Sequence, residues 1–87
     1  MSNSNSGHDA VENARRVYLV VTRSFKLFKS DRLHLANTNV CRQAGLSAED
    51  IVPAQELLVT AGVFNIRRGG SKSLYAKTGL LRSRLRR

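Results

Sequence analysis

The chain predicts a small α+β domain, mainly α with one antiparallel β-hairpin, in the order α-β-α-α-β-β. Three observations carry this. A length of 87 residues holds one modest core. Apolar residues in the first third recur at alternating steps of three and four, the period of a helix packed along one side. After Val63 the period changes to two, and a Gly-Gly pair divides the alternating stretch into two arms.

Residues 1–8, MSNSNSGH, are rich in Ser, Asn and Gly and are expected to be a disordered leader to a domain over 9–78. Asp9 is placed to cap a helix that runs to about Lys29. Val11, Ala14, Tyr18, Val21, Phe25 and Phe28 form one apolar row on it, and Val17, Val20, Ser24 and Leu27 a second. Together the rows cover roughly half the circumference, with Arg15, Arg16, Arg23, Lys26 and Lys29 on the other half. So wide a stripe has two explanations. Either a small core wraps around its longest helix, or Val17, Val20 and Leu27 face the same helix of a second copy.

Residues 31–36 alternate, with Leu33 and Leu35 on one side and Arg32 and His34 on the other, as in a short strand that needs partners. Asn37, Thr38 and Asn39 are cap residues for a helix through Ala44, which Gly45 is suited to end in a left-handed conformation. Ser47 and Asp50 have the spacing of a capping box, with Asp in place of the usual Glu. The next helix is expected to reach about Ala61, with Gly62 ending it and Ile51, Ala54, Leu57 and Leu58 as its apolar face. Pro53 disfavours helix at the residue before it, which sets the start near Val52 and leaves 48–51 as an extended turn. In the hairpin, Phe64 and Ile66 are expected on one face with Leu74 and Ala76. Asn65, Arg67, Ser73, Tyr75 and Lys77 then take the other, around a turn at 68–72. Residues 79–87 form either a short helix, with Leu81 and Leu85 one turn apart, or a basic arm.

Lys and Arg number 15 against 6 Asp and Glu, a net charge of +9. The charge is −2 over residues 1–14, +5 over 15–32, −2 over 33–66 and +8 over 67–87, where there is no acid. Blocks of one sign imply a polyanionic partner, nucleic acid ahead of an anionic membrane surface. One cysteine excludes a disulfide framework and fits a reducing compartment. No apolar run has the length of a membrane span, and the N-terminus lacks the basic and apolar parts of a signal peptide. A cytoplasmic location is expected, nucleoid-associated in a bacterial cell. His8 and His34 have no neighbour at ligand spacing, so no metal is expected. Cys41 has no histidine partner in sequence and suits core packing. Gly69-Gly70 lacks the Lys-Ser/Thr ending of a nucleotide loop. Neither an enzyme nor a cofactor is expected.

Val40-Cys41-Arg42-Gln43-Ala44-Gly45-Leu46, the Ile51–Leu58 stretch and Ala61-Gly62-Val63 carry a resemblance to the winged helix-turn-helix superfamily over roughly residues 10–78. Cys41 fills the place of the small residue where the two helices cross, and Gly45 that of the glycine in the turn. Leu46, Ile51 and Ala54 match the inward apolar positions. The resemblance implies a second helix in the DNA major groove and a hairpin wing on phosphates or the minor groove. Carried over by position, the wing residues are Arg67, Arg68, Gly69, Gly70, Ser71, Lys72 and Lys77, and the helix contributes Ser47 and Gln55. Arg42, Arg82, Arg84, Arg86 and Arg87 are weaker backbone contacts. Two departures matter. Pro53 lies in the second helix, and the outward positions Ser47, Ala48, Glu49, Val52, Pro53 and Glu56 carry negative charge and no Lys or Arg.

The implied function is a sequence-specific regulator of transcription on double-stranded DNA. It would be a repressor acting as a homodimer through Val17, Val20 and Leu27, helped by Leu81 and Leu85. Two other classes stay open. One is a coating or partition-type DNA binder; the other is a protein-interaction module that uses the acidic 47–56 face. RNA is disfavoured because the hairpin lacks paired aromatics for stacking bases.

Overall fold

Three α-helices and a three-stranded antiparallel sheet make up residues 5–78, the part of the chain that the computed structural model describes, with side chains from Ala10 onward. The elements are α1 (Asn5–Phe28), β1 (Arg32–Ala36), α2 (Asn37–Ala44), a 3-10 turn (Ala48–Asp50), α3 (Ile51–Thr60), β2 (Phe64–Arg68) and β3 (Lys72–Lys77). The α-β-α-α-β-β order expected from the sequence is present.

α1 starts at Asn5, ahead of Asp9, and so takes in part of the segment expected to be a leader. Its inward side joins the two apolar rows: Ala14, Val17, Val20, Val21 and Phe25 are all core. Val17 is fully buried and Val20 nearly so, which removes both from any surface a second copy could use. The ends of the first row are instead in solvent, with Val11 62% and Phe28 60% exposed. The reason is length. A helix of 24 residues spans about 36 Å, whereas strands of five or six residues span under about 20 Å. The helix therefore runs past the body it packs on, in a molecule 46 Å along its longest axis.

All three helices close the same way. The N–H groups of Lys29 and Ser30 bond back to Lys26 and Phe25, those of Gly45 and Leu46 to Arg42 and Cys41, and those of Gly62 and Val63 to Val59 and Leu58. In each case the first of the pair is left-handed, at φ 48° for Lys29, 73° for Gly45 and 75° for Gly62. These are Schellman closures, which satisfy carbonyls that the helix end would leave bare. At its start α2 differs from expectation. Its N-cap is Ala36, which has no side-chain acceptor, and the side chain of Asn37, the first helical residue, is turned to the hairpin. α3 begins at Ile51 after the 3-10 turn, so Pro53 falls in its first turn, where proline is tolerated.

The strand order is β1-β3-β2, so β1 pairs with β3 along the whole hairpin arm and β2 is an edge. Leu33 lies opposite Tyr75 and Leu35 opposite Ser73, while Ile66 lies opposite Tyr75 from the other side. This register reverses the face expected for β3. Ser73 and Tyr75 are buried against the helices, and Leu74 and Ala76 lie on the outer face with Arg32, His34, Asn65 and Arg67. Phe64 stands at the centre of the core. Its ring centroid is 5.7 Å from those of Tyr18 and Phe25 and 6.4 Å from that of Tyr75.

Candidate nucleic-acid interface

The inward face of α3 is Ile51, Ala54, Gln55 and Leu58, positions i, i+3, i+4 and i+7 of a helix. Gln55 therefore takes an inward place, at 2% exposed, and Leu57 is partly in solvent. A buried amide must find partners within the protein. Its Nε2 donates to Tyr75 Oη at 2.8 Å and to Ser73 Oγ at 3.2 Å. The Ser73 hydroxyl in turn donates to Asn37 Oδ1 at 2.7 Å. Asn37 then reaches the hairpin tip: its backbone N–H donates to Ser71 O at 2.8 Å and its side-chain amide to Gly70 O at 3.5 Å. A continuous set of hydrogen bonds thus joins α3, β3, the first residue of α2 and the tip of the hairpin.

The tip itself is closed by a bond from Gly69 N–H to Lys72 O at 2.8 Å. A Cβ at Gly69 would come within 2.9 Å of that same oxygen, which is why this position takes glycine. Between the tip, α2 and the start of α3 lies a groove of about 760 Å³. Its floor is apolar, with Cys41, Leu46, Ile51 and Val52, and Arg42 and Arg68 stand along it. Among the described residues, no acidic side chain lines it. Arg67 and Lys72 lie on the opposite, outer side of the hairpin, so cations flank the tip on both sides. Among the described residues, Arg42, Arg67, Arg68 and Lys72 make no ion pair.

Other cations are engaged within the protein. Lys77 lies at the base of the hairpin, away from the tip, with its Nζ 3.6 Å from the Asp31 carboxylate and 5.3 Å from the centre of the Phe25 ring. Arg16 lies 3.5 Å from the Glu12 carboxylate and donates to Ala44 O at 3.5 Å, tying α1 to the end of α2. The Ser47 N–H donates to the Asp50 carboxylate at 3.4 Å and the Ser47 side chain accepts from the Asp50 backbone N–H, the two halves of the expected capping box, and the Ser47 hydroxyl also donates to that carboxylate at 2.9 Å. The Cys41 thiol donates to Ser47 O at 3.7 Å. Burial, and then the Asp50 charge, push that thiol above its ordinary value. Burial also pushes the Tyr75 phenol up, against the bond to Gln55 that acts the other way.

Of the residues expected to touch DNA, Arg67, Arg68, Gly69, Gly70, Ser71 and Lys72 are exposed and adjacent in the hairpin, and Arg42 faces them across the groove. Gln55 is not available to a base, because it is a buried partner of Tyr75 and Ser73. Ser47 is exposed but holds Asp50. Leu27 is 72% exposed and free to meet a second copy. Arg82, Arg84, Arg86, Arg87, Leu81 and Leu85 lie outside the described residues. Asn37 and Thr38 border the groove, a place that their cap-like spacing in the sequence does not reveal. Among the described residues no group of His, Cys, Asp and Glu could hold a metal ion, and no helix is long and apolar enough to cross a membrane. No protein-family model, curated protein or solved structure matches the chain.

Proposed function

We propose that this protein is a winged helix-turn-helix module that binds double-stranded DNA and regulates transcription by occupying its site. The observation that carries the reading is a set of cations, Arg42, Arg67, Arg68 and Lys72, around a hairpin tip fixed to α2, with no ion pair to any described residue. Arginine binds phosphate through two parallel N–H groups and also suits a narrow minor groove. A tip already hydrogen-bonded in place loses little freedom when it binds. The grip is through the wing, because the outward side of α3 offers phosphates the Glu56 carboxylate, the Thr60 hydroxyl and apolar groups, and no cation. Repression as a homodimer is the simplest role for such a module, with Leu27 and the exposed Leu19 of α1 as the apolar surface that remains for pairing.

The test is duplex binding as a function of salt. Affinity should fall steeply. Arg67→Ala, Arg68→Ala and Lys72→Ala together should lower the slope of log K against log salt by about three, near 0.9 for each phosphate no longer neutralised. Weak binding with a flat salt response would remove the proposal. Selection from a random duplex pool separates the two DNA-binding roles. An enriched site marks a repressor, and no enrichment marks a coating protein.

A further inference from the structure

The groove between the hairpin tip, α2 and the start of α3 has a floor for which phosphate binding gives no use. Its volume of about 760 Å³ lies within the range of small-molecule sites, about 300–1,000 Å³. Cys41 and Ile51 are buried at its floor, Leu46 is half-buried, and Ala48 and Val52 extend the apolar surface. Val52 is still 37% exposed, so a molecule in the groove would cover it. A sugar–phosphate backbone is polar and has little to bury against such a floor. The Cys41 thiol adds no charge there. It donates to Ser47 O at 3.7 Å, and burial holds it above its ordinary value, so it stays protonated at neutral pH.

The charges along the groove are of one sign. Arg42 comes from α2 and Arg68 from β2, and among the described residues no acid lines the groove or pairs with either. A guanidinium has donors and no acceptor. What meets it is therefore an acceptor, and an anion best of all. The hairpin wall is already held in place. The Asn37 side chain donates to Gly70 O at 3.5 Å and accepts from the Ser73 hydroxyl at 2.7 Å. The Asn37 N–H to Ser71 O and the Gly69 N–H to Lys72 O, both at 2.8 Å, complete the attachment. The groove is thus formed before anything enters it, which keeps the ordering cost of binding low.

We infer that this groove binds a small organic carboxylate, whose apolar body lies on the floor and whose carboxylate meets Arg42 and Arg68. Neither half of such a molecule suffices alone. A bare carboxylate gains only exposed ion pairs, which contribute little in water, and a neutral hydrocarbon gains only the floor. Joined, the body excludes water beside the guanidiniums and strengthens the charged contact. Binding of the carboxylate stands on the groove alone. Its consequence rests on the proposed DNA binding: carboxylate and duplex share Arg42 and Arg68, so the small molecule releases the protein from DNA.

Amide NMR of the full chain, titrated with 2-naphthoate at about 0.15 M salt, tests it. The signals of Thr38, Leu46, Val52, Gly69 and Gly70 should shift along saturable curves. Those of Arg32, Asn65 and the first half of α1 should stay unmoved. Acetate and 2-naphthylmethanol each carry one half of the probe and should bind at least about tenfold more weakly. Arg42→Gln and Arg68→Gln change exposed side chains outside the core, and each should weaken naphthoate about tenfold. Shifts that do not saturate, equal binding of the alcohol, or unchanged affinity in either arginine variant overturn the inference. Duplex binding in the same samples keeps the two readings apart. Naphthoate binding without duplex affinity removes the DNA reading alone, and duplex affinity without naphthoate binding removes this inference alone. Where both bind, naphthoate should lower duplex affinity, and an unchanged affinity overturns the release from DNA.

Discussion

Gln55 is the residue on which sequence and structure part. Outside its fold it has the properties of a base-reading side chain, because glutamine pairs with adenine and lies on a helix after a turn. In the fold it is a buried donor to Tyr75 and Ser73. Gln55→Ala should therefore destabilise the protein by about 3 kcal/mol, since it leaves two buried hydroxyls short of a partner and opens a cavity. Urea unfolding measures this, and a loss below about 1 kcal/mol would mean that water replaces the amide. Any sequence preference on DNA should survive the change where the fold survives. Tyr75 and Cys41 give a second expectation. Both are held above their ordinary values of 10.0 and 9.0, so the unfolded chain releases these protons first as pH rises. Their contribution is whole below about pH 9 and is lost as pH rises, at up to about 1.4 kcal/mol per pH unit for each group. Tyr75→Phe should flatten the alkaline limb of a stability–pH profile, and an identical limb in the variant would place the loss elsewhere.

Among single elements, the helix ends are the most legible part. Gly45 and Gly62 stand where a left-handed residue is needed, and both take it. The end of α1 shows no glycine, and there the same closure is made by Lys29 at φ 48°. A side chain in that region costs roughly 1–2 kcal/mol, part of which glycine returns through its freer unfolded state. Lys29→Gly is thus expected to raise stability by about 0.5–1 kcal/mol, seen as a higher urea midpoint at unchanged slope. The hairpin tip gives a paired test of its closure. Gly69→Ala would place a methyl 2.9 Å from Lys72 O, whereas one at Gly70 meets nothing within 4 Å. The first should cost about 1–3 kcal/mol and the second almost nothing. Equal effects would mean that the turn is not held by the Gly69–Lys72 bond.

For the whole molecule, the uneven charge sorts onto different surfaces. The hairpin tip and the outer sheet face are cationic, with Arg32, Arg67, Arg68 and Lys72, and the outward side of α3 is acidic and apolar. A phosphate backbone would be drawn to the first and repelled by the second, so under the proposed DNA binding the hairpin should supply most of the affinity. The same partition limits self-association. With Val17 and Val20 in the core, a dimer through α1 has the exposed Leu19, Leu27 and Phe28. Leu27→Glu should return a dimer to monomer mass in sedimentation without loss of the folded signal. A dimer that persists in that variant forms through another face.

Element order, the helix ends, the capping box at Ser47 and Asp50, and the hairpin with its cations are all readable from the linear chain. Each depends on residues within a few positions of one another, and local spacing records them. Tertiary packing set which side of β3 faces inward, where Gln55 points, and that β1 pairs along β3. Those depend on partners 18, 20 and 36 residues apart, as Gln55 is from Ser73 and Tyr75, and Ser73 from Asn37. A serine, a tyrosine, a glutamine and an asparagine each read as solvent-facing when taken alone. Gln55, Ser73 and Tyr75 are buried and Asn37 partly so, because each satisfies another, and only the fold brings them together.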